Sequence, residues 1–217
     1  MFATADFLRN PKAFMDSNIV IPHDAGLGST QADGRIKEMV IKKYPNRVGL
    51  KLGEEVGVYC LRQKLQNDPP EASLFAYWTP YQENQTLSCM LGNGARFMFT
   101  ATMDGCSFGI GSSPTPGVCR VAHSNEKTLG GKMVNAGLNK QGQTIAQEIS
   151  LGKVLDPTTM TVINPSHYMK DIDGASVLKS TTWGVHELGG AWTFYTQKYW
   201  KNDTTGKYFL REVSQQV

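Results

Sequence analysis

From about residue 48 onward, the sequence consists of short apolar segments separated by turn residues, and this alternation rules out most folds. The segments are rich in β-branched and aromatic side chains and are bounded by Gly, Pro, Asn and Asp, which is typical of β-strands joined by turns. The predicted strands are residues 56–61, 73–81, 97–103, 106–110, 118–123, 160–163, 177–185, 191–200 and 207–213. A helical bundle is therefore excluded, and the sequence predicts a fold dominated by antiparallel sheet.

Two segments favour helix instead. Residues 35–44 place Ile36, Met39 and Val40 on one helical face, and residues 138–150 carry isolated apolar side chains among polar ones. Together with the strands, these segments predict an α+β fold. We expect a β-sandwich-like arrangement of mostly antiparallel sheets packed face to face, with flanking helices outside.

The length and the charge of the chain limit the number of domains and the kinds of partner that we expect. Its 217 residues show no internal repeat and no linker, so we expect a single domain spanning residues 1–217. The net charge is +3, without any run of five Lys or Arg, which is not the basic footprint of a nucleic-acid-binding protein. No segment approaches about 18 uninterrupted apolar residues. We therefore expect a monomer with neither nucleic acid nor membrane as a partner.

Four cysteines stand at positions that no disulfide or zinc framework explains. They show no CxxC pair and no spacing to His that is typical of a zinc site. They are Cys60, Cys89, Cys106 and Cys119. Cys60 and Cys119 are expected to be core thiols. Cys89 is a weaker candidate than Cys106 for a nucleophilic thiol. We expect no metal and no organic cofactor.

The central segment places a thiol and an imidazole on neighbouring predicted strands. Asp104-Gly105 between apolar runs predicts a hairpin. His123, seventeen residues after Cys106, can return beside it on an adjacent antiparallel strand. A nucleophilic thiol needs such a base and a small neighbour, which Gly105 supplies. The hydroxyl of Thr100, six residues before Cys106, can hold the imidazole tautomer. The alternative is that Cys106 and His123 are only packing residues, since buried Cys is common.

The spacing of Thr100, Gly105-Cys106 and His123 resembles that of the cysteine glutamine deamidases. This group includes the chemotaxis receptor deamidase CheD, the catalytic domain of cytotoxic necrotizing factor and Burkholderia lethal factor. The offsets from Thr to Cys and from Cys to His are similar to those of CheD. Asp104-Gly105-Cys106 is similar to the Ser-Gly-Cys of the lethal factor, with Asp104 replacing Ser. The resemblance covers about residues 97–125.

The resemblance implies a deamidase-toxin-like fold and a toxin or effector that converts one Gln of a host protein to Glu. Cys106 would be the nucleophile that forms the thioester, His123 the base and acid, and Thr100 the residue that orients the imidazole. Backbone N–H groups at Gly105 and Cys106 would stabilise the oxyanion. Asp6 and Arg9 interrupt what would be the apolar core of a signal peptide. We therefore expect a signal-independent route to the target-cell cytosol, or else a cytoplasmic protein.

Other functions remain compatible with the same residues. A Cys-His amidase, transglutaminase or peptidase would use the same pair on another acyl donor. A non-catalytic β-sandwich binding module would leave Cys106 and His123 packed and inert. Loops at residues 111–117 and 124–137 are expected to select the substrate.

Overall fold

The computed structural model describes residues 1–23, 27, 35–112, 115, 118–126, 128–129, 132–133, 140–169, 178–187 and 189–217. The helices in these residues are α1 (Thr4–Arg9), α2 (Pro11–Ser17), α3 (Lys140–Leu151) and α4 (Pro165–Tyr168). The strands are β1 (Asn18–Pro22), β2 (Ile36–Lys43), β3 (Gly49–Lys51), β4 (Glu54–Gln63), β5 (Ser73–Thr79), β6 (Gln85–Leu91), β7 (Phe97–Thr100), β8 (Ser107–Ile110), β9 (Cys119–Asn125), β10 (Thr128–Leu129), β11 (Lys132–Met133), β12 (Thr161–Ile163), β13 (Leu178–His186), β14 (Trp192–Lys201) and β15 (Tyr208–Gln215). Within the described parts of the chain, none of the helices is long and apolar enough to cross a lipid bilayer.

Eight strands close into a barrel. Their order is β4, β2, β5, β7, β13, β14, β15 and β3, and β3 pairs back with β4. Strand β1 extends this sheet by pairing in parallel with β4. The other parallel pairs are β5 with β7 and β15 with β3. The fold is thus α+β with mostly antiparallel sheet, as the sequence predicts, but the large sheet closes on itself instead of forming half of a sandwich.

A smaller antiparallel sheet packs against one face of the barrel. It contains four strands in the order β12, β8, β9, β6. Apolar side chains from both sheets form one buried cluster, in which Tyr77 and Met98 of the barrel meet Phe108 and Val121 of the smaller sheet. The two sheets therefore share a core, and residues at their junction are excluded from water.

The opposite face of the barrel strands packs against the N-terminal helices. Because side chains alternate along a strand, Phe99 of β7 points away from its neighbour Met98 and joins a second cluster. There the ring of Phe7 from α1 lies 5.8 Å from that of Phe99 and 6.1 Å from that of Trp183. Strand β7 is thus held on both faces, which fixes the position of Thr100 at its end.

Two local predictions are wrong. Residues 36–43 form strand β2, not a helix, and pair on both sides with β4 and β5. Asp104-Gly105 does not form a hairpin, because β7 pairs with β5 and β13 whereas β8 pairs with β9 and β12. It carries the chain from the barrel to the smaller sheet. The later helix is confirmed as α3, while Val177 of one predicted strand lies outside the described residues.

Candidate functional site

The three residues singled out from the sequence lie on neighbouring segments where the two sheets join. Thr100 ends β7 in the barrel, whereas His123 lies in β9 of the smaller sheet. Cys106 immediately precedes β8, which pairs with β9 so that Phe108 lies opposite His123. All three are buried, with relative exposures of 0% for Cys106 and 1% for His123. The predicted pairing of these two strands is therefore confirmed, although Cys106 lies immediately before β8 and not within it.

The contact between Thr100 and His123 fixes the imidazole tautomer. Thr100 Oγ1 lies 2.7 Å from His123 Nδ1 and also donates to the carbonyl oxygen of Thr79 at 3.1 Å. A hydroxyl has a single hydrogen, and the carbonyl can only accept it. Nδ1–H therefore donates to Thr100 Oγ1, and the lone pair of the neutral ring is on Nε2.

The burial of His123 keeps its ring uncharged. Burial lowers the pKa of His123 to about 3, because a charged imidazolium is poorly solvated there. Among the residues that the structure describes, Nε2 has no hydrogen-bond partner. The ring of Tyr81 packs beside the imidazole, with ring centroids 5.7 Å apart. In this closed arrangement, His123 is a neutral base whose lone pair is available to a proton donor.

The side-chain amide of Asn125 contacts the sulfur of Cys106. Asn125 Nδ2 donates to Sγ at 3.1 Å. The side chain is 4% exposed, and its Oδ1 has no hydrogen-bond partner in the described parts of the chain. Sequence reasoning missed this residue. Its position two residues after His123, on the same face of one strand, is the signal that can find it.

Hydrogen bonds from helices α3 and α4 hold the turn at Gly105 and Cys106. Gly105 has a φ of +137°, a backbone conformation that favours glycine. Its N–H donates to Tyr168 Oη of α4 at 2.9 Å, and Tyr168 donates to the carbonyl of Cys106 at 2.7 Å. From α3, Gln147 Nε2 donates to the carbonyl of Gly105 at 2.9 Å and its Oε1 accepts from Ser107.

This arrangement bears on one of the two backbone N–H groups expected to stabilise the oxyanion. The Gly105 N–H is engaged by Tyr168, so in this structure it does not point at an oxyanion. Tyr168 and Gln147 were not found from the sequence, because nothing local marks residues so distant in the chain as partners of the turn.

The other cysteines occupy different environments. Burial raises the pKa of the Cys119 thiol to about 12, and that thiol donates to the carbonyl of Gly111 at 3.0 Å. Burial also raises the pKa of Cys60. Cys89 lies in β6, opposite Val121. None of the four cysteines forms a disulfide. The described residues contain no group of three or more His, Cys, Asp or Glu that could hold a metal ion.

Much of the two loops expected to select substrate, residues 111–117 and 124–137, lies outside the described residues. No protein-family model matches the chain, and no curated protein matches it.

Proposed function

We propose that the chain is a protein-glutamine deamidase with Cys106 as nucleophile and His123 as its base. One observation carries the proposal. The hydroxyl of Thr100 directs Nδ1–H of His123 and leaves the lone pair on Nε2, on the strand next to a thiol whose sulfur already accepts a hydrogen bond. A base of fixed tautomer close to a thiol is what activation of a sulfur nucleophile requires.

The reaction begins with transfer of the Cys106 proton to His123. The thiolate then attacks the side-chain carboxamide carbon of a substrate glutamine, and the carbonyl electrons move to oxygen. When the C–N bond breaks, His123 gives its proton to the departing ammonia. His123 next removes a proton from water, which attacks the thioester. The C–S bond breaks, and glutamate and the thiolate are released.

The burial of the pair sets a condition on turnover. A glutamine side chain reaches Sγ only after the groups that cover Cys106 and His123 have moved. Opening admits water, which solvates a charged imidazole and raises the His123 pKa toward its ordinary value. The closed arrangement is therefore a resting state in which the base is neutral.

The proposal includes the biological setting implied by the deamidase resemblance. The substrate is a specific Gln on a host signalling or translation protein. The deamidase-toxin-like fold would act as a monomeric effector in the target-cell cytosol after delivery without a classical signal peptide. The reaction uses no metal and no organic cofactor, because water is the only co-reactant.

A second function is favoured by one specific observation. Cys106 and His123 are as buried as the apolar core, and the ring is uncharged. That environment suits a binding module in which both side chains only pack. Selective alkylation distinguishes the two, because an activated thiol reacts with iodoacetamide near neutral pH faster than inert core thiols such as Cys119.

The decisive experiment compares wild type with Cys106→Ser on a eukaryotic cell lysate. Peptide mass spectrometry should find a Gln that gains about 1 Da only with wild type, as hydrolysis of a carboxamide requires. Ammonia release should follow the same pattern, and Cys119→Ser should behave as wild type. If Gln is instead joined to an amine, or a peptide bond is cut, the protein is another Cys-His acyl-transfer enzyme. Equal deamidation by Cys106→Ser would overturn the proposal.

A further inference from the structure

Asn125 is a buried polar side chain that the reaction above leaves without a role. Its Nδ2 touches the sulfur of Cys106 at 3.1 Å, and its Oδ1 is a buried acceptor without a hydrogen-bond partner among the described residues. Buried acceptors in folded proteins are nearly always satisfied. An exception beside a candidate nucleophile points to a donor that arrives with the substrate.

We propose that Asn125 is a catalytic residue that recognises the carboxamide of the substrate glutamine and stabilises the oxyanion. Its Nδ2–H donates to the carboxamide oxygen, and its Oδ1 accepts one carboxamide N–H. Two amides paired in this way satisfy one donor and one acceptor on each side. The inference rests on the proposed deamidase function and names the residue that selects its substrate group.

The position of Nδ2 fits this role. The oxyanion forms on the carbon that bonds to Sγ, so it develops within reach of a donor that already contacts the sulfur. The nearby Gly105 N–H is occupied by Tyr168. Asn125 Nδ2 therefore supplies a donor in place of the Gly105 N–H, first to the thiolate and then to the oxyanion.

The same pairing discriminates substrate from product. Glutamate carries a carboxylate, which has no N–H to donate to Oδ1 and places a negative charge against this acceptor. Once ammonia has left and water has added, the product therefore lacks the hydrogen bond to Asn125 Oδ1 and keeps only the one from Nδ2–H. A site that recognises an amide through a buried acceptor binds a group without an N–H donor weakly, because the buried acceptor, here Asn125 Oδ1, is then left without a hydrogen bond.

The steps balance with water as the only co-reactant. The Sγ–C bond forms as the C=O electron pair moves to oxygen, where Nδ2–H binds it. The pair returns as the C–N bond breaks, and nitrogen leaves as ammonia with the proton held by His123. Asn125 itself exchanges no proton.

The test uses Asn125→Asp, which keeps the size but removes the donor, and Asn125→Ala, which removes the whole amide. Ser124→Ala is the matched control, because Ser124 is buried on the same strand and faces the other way. Thermal unfolding first establishes that each variant is folded.

Two readouts are measured on each protein. The first is the pH dependence of Cys106 alkylation by iodoacetamide, followed by peptide mass spectrometry. Both Asn125 variants should alkylate Cys106 at least ~10-fold more slowly at neutral pH, because the thiolate has lost its donor. The second is deamidation of the Gln identified with wild type. There kcat should fall by about 10²–10³-fold, as for loss of one oxyanion donor in other enzymes.

The outcomes separate the two proposals. Unchanged alkylation profiles and kcat within a few-fold of wild type in both variants would overturn the role of Asn125 while leaving the deamidase intact. If wild type deamidates no Gln but the alkylation profile still shifts, the deamidase proposal fails and the contact with the thiolate stands. A fall in kcat equal to that of Ser124→Ala also counts against Asn125, because it reflects strand packing alone.

Discussion

At the scale of single residues, Thr100 acts by deciding which nitrogen of His123 is free. Its hydrogen goes to Thr79, so its oxygen can only accept from Nδ1–H. Thr100→Val keeps the shape but removes the acceptor, and the ring can then place its proton on either nitrogen. We expect kcat for the proposed deamidation to fall about 10–100-fold, less than the full contribution of general acid–base catalysis, which is about 10²–10⁴-fold.

Thr100→Ser is the matched control, because it keeps the hydroxyl and should retain most of the activity. The same pair can be compared in the heteronuclear NMR spectrum of ¹⁵N-labelled histidine, where the Nδ1–H tautomer should dominate in wild type and in Thr100→Ser. A Thr100→Val protein with wild-type kcat and an unchanged tautomer would show that the contact only packs the ring.

Part of the site could be predicted from the sequence, because it depends on spacing along adjacent strands. The offsets of Thr100, Cys106 and His123 are enough to place Cys106 beside the strand that pairs with the His123 strand, although the hairpin assumed to join Thr100 and Cys106 does not exist. Asn125 is predictable from the same alternation, because it lies two residues after His123 on one strand. Tyr168 could not, because its contact with the turn at Gly105 depends on how a remote helix packs.

At the scale of elements, many strand positions are predictable from the sequence, although β1, β3 and β6 are not among the predicted strands, and the strand partners are not predictable. Alternation and turn residues located most strands of both sheets, yet the same segments are compatible with many pairings. Strand β2 was mistaken for a helix because Met39 and Val40 fit either period. Its centre is buried on both faces, as Met39, Val40 and Ile41 show in succession. A strand that is buried on both faces shows no alternation of apolar and polar residues in its sequence, so the pattern does not distinguish it from a helix.

Asp104-Gly105 failed as a hairpin for a related reason. A two-residue turn reverses the chain only if the flanking strands pair with each other. Here β7 already has partners on both sides within the barrel, so the chain must leave for the smaller sheet. Gly105 is still needed, since a φ of +137° is the conformation the crossover imposes.

The short helix α4 holds this crossover through one side-chain hydroxyl, that of Tyr168. Tyr168→Phe keeps the ring but leaves the Gly105 N–H and the Cys106 carbonyl without that partner. Losing the partner of buried backbone groups costs about 1–3 kcal/mol. We expect the free energy of unfolding, measured by urea titration, to fall by this amount.

Tyr195→Phe is the control for Tyr168→Phe. Tyr195 is half-buried and stacks on Trp183, so its ring is held by packing. Loss of its hydroxyl should change the unfolding free energy by no more than about 0.5 kcal/mol. Equal effects of the two substitutions would mean that the Tyr168 hydroxyl does not hold the turn.

At the scale of the whole molecule, the site depends on two sheets staying packed together. Thr100 belongs to the barrel and His123 to the smaller sheet, so their hydrogen bond crosses the shared core. Protonating His123 places a charge in that core. The stability of the packed sheets and the protonation of the candidate base are therefore linked.

This linkage predicts an acid-sensitive fold. The pKa of His123 is about 3 in the folded protein, against about 6.5 in an unfolded chain. Between these values the unfolded state binds a proton that the folded state does not, so stability falls as pH falls. The loss approaches about 1.4 kcal/mol per pH unit below pH 6.5, which amounts to about 1.6 kcal/mol between pH 6.5 and 5.

The measurement is urea unfolding of wild type and His123→Gln across that interval. Arg62 lowers the pKa of Asp68 to about 2, so the stability that this carboxylate contributes is lost only below about pH 4, outside the interval. The other three of the four histidines are present in both proteins, and their contributions cancel in the difference. Wild type should lose stability more steeply than His123→Gln as the solution is acidified. Parallel pH profiles would show that His123 is protonated without cost, and that its ring is in contact with water in the folded state.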